Sequence, residues 1–197
     1  PEYHNADLDS LILAVDYVSM HTYPFHDTHY NPTFWKEEEF EPTGVDGAMA
    51  RAVAYSHNQY ASVVHYVQRL DAHKPVHIGE TGWASVSDGF YGPEGSRASD
   101  EYKQALFYNG MREWTQSSGI SCFYFEAFDE PWKNSANPTD SENHFGLFTQ
   151  DGEAKYAIWS PVEEGVYDGL TRDGHEIRPT YDGQRELLDR HVLNPVP

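Results

Sequence analysis

Apolar residues follow two rhythms along this chain. Three stretches are short and apolar almost throughout, at 15–23, 76–81 and 120–125. Runs of this length, bounded by turn residues, predict strands buried on both faces. Between them the spacing is helical. Over 48–71, Val53, Tyr60, Val63, Val64, Val67 and Leu70 fall on one stripe. Residues 8–14 read as the end of a helix, and 184–191 as a closing one. Another helix is expected over 99–117, with Ser99 as N-cap, Asp100 and Glu101 in its first turn, and Gly119 as its stop. Pro24 ends the first strand, and Lys74-Pro75 turns the chain into the second.

The polar stretches follow the strands. Residues 25–47 are long and rich in His, Pro and Glu, and predict a rim loop. Residues 85–96 predict a second, Gly-rich loop carrying Phe90 and Tyr91. The third strand runs into Glu126-Ala127-Phe128-Asp129-Glu130-Pro131-Trp132-Lys133, and His144-Phe145-Gly146-Leu147-Phe148 follows a polar loop. Residues 156–181 look irregular. Strand and helix alternate, which predicts an α/β fold with a parallel sheet and helices outside. All three strands carry polar chemistry at their carboxyl ends, the active-site face of a (β/α)8 TIM barrel. A doubly wound open sheet is the alternative, but no Gly-rich phosphate loop follows any strand. A full barrel takes roughly 250 residues. With three secure strands in 197 residues, the chain reads as the back half of a barrel or as a smaller sheet.

Composition narrows the partners. The chain is long enough for one sizeable core, and 1–197 reads as a single domain. The formal charge is -19, from 32 acidic and 13 basic residues, so nucleic acid and anionic membrane are poor partners and a neutral polymer is compatible. Aromatics reach 15%, a content that suits stacking on sugar faces as well as filling a core. Cys122 stands alone, which rules out an internal disulfide and a thiolate metal cluster. No run of about 20 apolar residues is present. The chain opens on Pro1-Glu2-Tyr3-His4 without Met, as a processed or partial product would.

The stretch with most chemistry is Val76-His77-Ile78-Gly79-Glu80-Thr81-Gly82-Trp83. A strand that ends in a carboxylate before a Gly turn places an acid at a barrel rim. Glu80 could equally cap the next helix or be a solvated loop residue.

The segment 78–85 resembles the nucleophile motif of glycoside hydrolase family 17, the β-1,3-glucanases and glucanosyltransferases. Asp16-Tyr17-Val18 through His21-Thr22-Tyr23-Pro24 resembles that family's sixth barrel strand. Phe128-Asp129-Glu130-Pro131-Trp132-Lys133 and Glu142-Asn143-His144-Phe145-Gly146-Leu147-Phe148 resemble the eighth strand and the loop after it. The resemblance covers 15–156 and departs over 157–181. It implies the carboxyl-terminal portion of the barrel, about strands 6–8, and a retaining mechanism with Glu80 as nucleophile. A retaining site needs a second carboxyl group ~5–5.5 Å away. The family carries that acid in a Gly-Asn-Glu segment, which is nowhere in this sequence. The acid is therefore expected on a segment not present here. Glu126, Asp129 and Glu130 are the local carboxylates that could replace it. The resemblance assigns Glu130, Lys133 and Glu142 to supporting the site and touching substrate, and a surface salt bridge is the plainer alternative. It places Tyr23 beside Glu80, in the subsite of the sugar to be cleaved. Trp83 and Trp132 are candidate platforms under sugars, or else packing residues.

Three function classes follow: a β-1,3-glucan hydrolase or transglycosylase, a partial barrel that binds glucan without cutting it, and an enzyme for another β-glycan. No cofactor is expected. His21, His26, Asp27 and His29 carry metal-binding groups, but their spacing fits no familiar zinc pattern, so no metal is assigned. The substrate partner would be β-1,3-glucan, met in an extracellular or periplasmic compartment. A half-barrel exposes sheet edges and apolar surface, which points to the amino-terminal half as a second partner.

Overall fold

Three short parallel strands order the molecule: β1 (Val18–His21), β2 (Val76–Thr81) and β3 (Cys122–Tyr124), side by side in that order. In this computed structural model, residues 5–36 and 41–196 are described. Each crossover is helical. The 27-residue α3 (Gly44–Leu70) joins β1 to β2, and α4 (Glu101–Ser118) joins β2 to β3. Parallel neighbours need such crossovers, because a hairpin cannot connect them.

The helices cover one face of the sheet. The carboxyl-terminal half of the α3 stripe packs Val63, Val64, Val67 and Leu70 against Val18, Met20 and Val76, with Ile12 of α1 (Ala6–Ala14) closing the group. A second apolar cluster lies toward the strand ends and holds Phe25, Trp35, Ile78, Trp83, Phe107 and Phe145. The other face of the sheet is open: Ser19, His21 and Phe123 point away from the helices and are exposed.

Local signals account for the helix ends. Asn5 caps α1 by accepting from the amides of Asp7 and Leu8. Asp100, one residue beyond the expected Ser99, caps α4: its Oδ1 accepts the Lys103 amide at 2.8 Å, and its Oδ2 pairs with Lys103 Nζ. Gly119 ends α4 at φ 64°, a left-handed conformation that glycine adopts without strain.

Two regions are more ordered than the sequence pattern predicted. The expected rim loop over 25–47 contains α2 (Pro24–Tyr30), a 3-10 turn at Pro32–Phe34 and the first turn of α3; its residues 37–40 lie outside the described residues. Pro24 starts α2 as well as ending the strand, since proline suits the first helical position. Phe25 and Trp35 then turn fully inward. The irregular stretch over 156–181 holds α5 (Trp159–Glu163) and the antiparallel pair β4 (Thr171–Arg172) and β5 (His175–Glu176). The closing helix, α6, is short, at Arg185–Asp189.

Candidate active site

Glu80 reaches the rim through a fault in strand pairing. Met20 faces Ile78, but His21 faces Glu80, so Gly79 is an extra residue on β2. A bulge of this kind re-aims the side chain beyond it. Burial records the slip: Val76, Ile78 and Thr81 are buried, while Glu80 is partly exposed. His21 Nδ1 lies 3.2 Å from Glu80 Oε2. The Tyr23 hydroxyl faces the same carboxylate. Burial and then the carboxylates of Glu80, Glu142 and Glu126 hold the Tyr23 phenol protonated far above its ordinary range. Tyr23 therefore keeps its proton at any working pH and can donate it to a hydrogen bond with Glu80.

The chain after Glu80 crosses close to the end of β3. A Cβ on Gly82 would lie 2.1 Å from the Phe125 carbonyl oxygen, so only glycine fits there. The Phe125 amide bonds Thr81 O at 2.7 Å. Residues 126–130 then run beside 143–148, through Glu126 N to Phe145 O (3.2 Å), Leu147 N to Glu126 O (2.9 Å) and Glu130 N to Asn143 O (3.1 Å).

On this second rim, Lys133 Nζ stands 3.2 Å from Glu130 Oε2, 3.6 Å from Glu126 Oε1 and 3.9 Å from the Phe125 ring centre. Glu142 is exposed on the 3-10 turn Ser141–Asn143, and its charge acts on Tyr23, His26 and Tyr91. Trp132 is 61% exposed. Tyr23, Glu80, Glu126 and Glu142 thus share one electrostatic neighbourhood, with Glu130 and Lys133 attached through Glu126.

Trp83 does not belong to that surface. The expectation that it is a sugar platform is corrected here: it is 0% exposed, and its indole nitrogen donates to Ala98 O at 2.9 Å. Phe25 and Phe107 pack against its ring at 5.4 and 5.1 Å. The histidines disperse. His21 faces Glu80, His26 faces the Tyr91 hydroxyl at 3.2 Å, and His29 stacks on Phe90 at 4.1 Å. Asp27 is bonded to Asn31 and Gln59. Among the described residues no three His, Cys, Asp or Glu gather in a way that could hold a metal ion.

This geometry can be set beside known proteins. The family Glycosyl hydrolases family 17 matches residues 60–159, just over half of the chain. The chain belongs to glycosyl hydrolase family 17. The matched segment contains Glu80, Glu130, Lys133 and Glu142, while Tyr23 precedes it. A glucan 1,3-beta-glucosidase of Saccharomyces cerevisiae is 36% identical over 84 residues, 41% of this chain and 25% of that protein. One from Arthroderma benhamiae is 37% identical over 89 residues, 41% and 27%. The crystal structure of an endo-laminarinase from Formosa Hel1_33_131 superimposes with TM-score 0.94 at 56% identity, over 98% of this chain and 51% of that one. An active-site mutant of the Rhizomucor miehei beta-1,3-glucanosyltransferase, in complex with laminaritriose, shares the fold at TM-score 0.50 and 22% identity, over 76% and 44%. The chain thus spans about half the length of the laminarinase and matches about a quarter of the glucosidases.

Within this family 17 chain, the rim rests on buried polar groups that sequence reasoning missed. Lys155 is fully enclosed and donates to Asp129 Oδ1 (2.6 Å), Ser85 Oγ (2.8 Å) and His144 O (3.3 Å). Asp129 Oδ1 also accepts the Gly146 amide at 3.0 Å. One ammonium therefore ties together the segments that follow Glu80, precede Glu130 and follow Glu142. Gln104 of α4 donates to the carbonyls of Trp83, Phe145 and Gly146. Asn143 clamps the 134–137 turn through three hydrogen bonds. A lysine or glutamine in a polar stretch carries no local mark of burial, so only the Phe-Asp-Glu and Phe-Gly-Leu-Phe motifs around their partners hinted at a supported rim.

Proposed function

We propose that this chain is the carboxyl-terminal part, about strands 6–8, of a (β/α)8 barrel that hydrolyses β-1,3-glucan with retention of anomeric configuration. The observation that carries the reading is Glu80, re-aimed by the β2 bulge to the carboxyl end of the sheet and held there by His21 and Tyr23. A nucleophile needs such fixing, and His21 at the end of β1 and Tyr23 in the turn after it are placed to supply it. Glu80 attacks the anomeric carbon as the glycosidic C–O bond breaks, and the leaving oxygen takes a proton from a general acid. Water, deprotonated by the same residue, then releases Glu80 from the glycosyl ester. The acid is assigned to a Gly-Asn-Glu segment that this chain lacks. The remaining barrel would also cover the open sheet face of Ser19, His21 and Phe123, since parallel sheets are covered on both faces.

Tyr23, Glu130, Trp132, Lys133 and Glu142 are assigned to substrate. Hydrolysis is favoured over transfer because the laminarinase is 56% identical, whereas the glucanosyltransferase, at 22%, supports the fold alone. A polymeric substrate places the reaction in an extracellular or periplasmic compartment. Among the described residues no helix is long and apolar enough to cross a membrane.

The test is proton NMR of laminarin incubated with the assembled barrel. The first reducing ends released are expected in the β configuration. First-formed α ends, or no release, would refute the reading. The two tryptophans separate its binding surface from its core. Trp132→Ala is expected to weaken laminari-oligosaccharide binding by about 1–3 kcal/mol with little change in melting temperature. Trp83→Phe is expected to do the reverse, costing about 1–3 kcal/mol of stability through lost volume and the lost bond to Ala98 O. Calorimetric titration and thermal melts of both variants decide it.

A further inference from the structure

Glu126 is the carboxylate at the rim that the assignment above leaves without a role. It lies two residues beyond β3, its side chain is only 14% exposed, and its Oε1 is buried with no hydrogen-bond partner. A carboxylate oxygen in that position sheds its charge or finds a donor. Among the described residues, the ammonium within ion-pair distance of Glu126 is Lys133, 3.6 Å from Glu126 Oε1 and 3.2 Å from Glu130 Oε2. Two carboxyl groups compete for one cation.

We propose that Glu126 is a positioning residue of this site: protonated, it leaves the Lys133 ammonium to Glu130, and ionised, it draws that ammonium away and weakens glucan binding. The inference rests on the assignment of Glu130 and Lys133 to substrate. With a proton on Glu126, the group of Glu126, Glu130 and Lys133 is neutral, and Lys133 keeps its shorter pairing. Without the proton the group carries a net negative charge, beside Glu80 and Glu142, in a chain of formal charge -19. The groups facing Glu126 pull both ways: Glu130 favours the proton, and the Lys133 and Lys155 ammonium groups oppose it. Glu130 and Lys133 come from the loop after β3, Tyr23 from the end of β1, and Lys155 from the buried network. Burial is the largest influence and raises the Glu126 carboxyl, Lys133 lowers it, and Glu130 raises it again, leaving it at about 7. The proton is therefore held below neutrality and lost as the pH rises through that value.

The test compares two assembled barrels, Glu80→Gln and Glu80→Gln/Glu126→Gln, in which turnover is blocked. The Kd for laminarihexaose is measured by calorimetry at pH 6 and pH 8. Ionisation of a single group near 7 raises the Kd of the first barrel on the order of tenfold over this interval. The double variant, fixed in the neutral form, is expected to bind as the first does at pH 6 and to show no such rise. A merely structural Glu126 would move affinity or melting temperature without removing the pH dependence. Equal pH dependence in the two barrels, or a double variant that binds weakly at both pH values, would overturn the proposal while leaving the glucanase reading intact. Absence of binding by the Glu80→Gln barrel at either pH would remove the substrate assignment itself, and the proposal with it.

Discussion

Replacing Glu80 by Gln is expected to reduce laminarin turnover by about 10⁴-fold or more while leaving oligosaccharide binding within a few-fold. The size follows from the mechanism. Glutamine keeps the shape of the side chain and can still meet Tyr23 and His21, but its amide cannot form the glycosyl ester. The loss then appears in kcat, because the missing interaction is with the transition state. His21 sets a second signature. At 3.2 Å from Oε2 it is placed to orient the carboxylate; in a Glu80→Gly variant, which vacates that space, added azide is expected to restore turnover as an external nucleophile attacking from the vacated side. That product would carry inverted configuration. Residual turnover near the parent rate would remove Glu80 from the reaction, and a rise in KM with kcat unchanged would make it a binding group.

How far the sequence carried the reading depends on the range of each interaction. The α3 stripe from Val53 to Leu70 and the β2 run from Val76 to Thr81 were legible because periodicity is a local signal. Glu80 was legible for the same reason: a strand, a carboxylate and a glycine turn are consecutive. Trp83 was misplaced because its side of the turn is decided elsewhere, by the approach of Phe125 O to Gly82 and the inward pull of Phe25 and Phe107. The helix Pro24–Tyr30 was hidden because a proline after a strand marks an end and a helix start equally well. The bulge at Gly79 could not be seen at all, since it exists only against Met20 and His21 across the ladder. The buried polar groups lie furthest from legibility. Lys155 meets Ser85 across 70 residues, and Thr180 meets Glu101 across 79.

Those long-range polar contacts set the other large effect. Lys155→Met is expected to destabilise the assembled barrel by about 3–5 kcal/mol, which is roughly 4–6 °C in melting temperature for a protein of about twice this chain's length. The cost arises at the partner. Burial lowers the Lys155 pKa, and Asp129 opposes that by stabilising the ammonium. Methionine fills the volume but leaves Asp129 buried, keeping only the Gly146 amide and a longer approach to His144 Nδ1 at 3.4 Å. Two outcomes distinguish a charge role from simple packing. The Asp129→Asn/Lys155→Met pair removes both charges and is expected to recover most of the lost stability, with a coupling energy above about 1 kcal/mol in the double-mutant cycle. Additive losses would mean that Lys155 acts by packing alone. The ammonium also ties Ser85 to Asp129 and to His144 O. Its loss should therefore loosen the segments that carry Glu130 and Glu142, raising KM at temperatures well below the melt. Parent-like KM there, with only the melting temperature lowered, would confine Lys155 to stability and separate the rim's scaffold from its substrate surface.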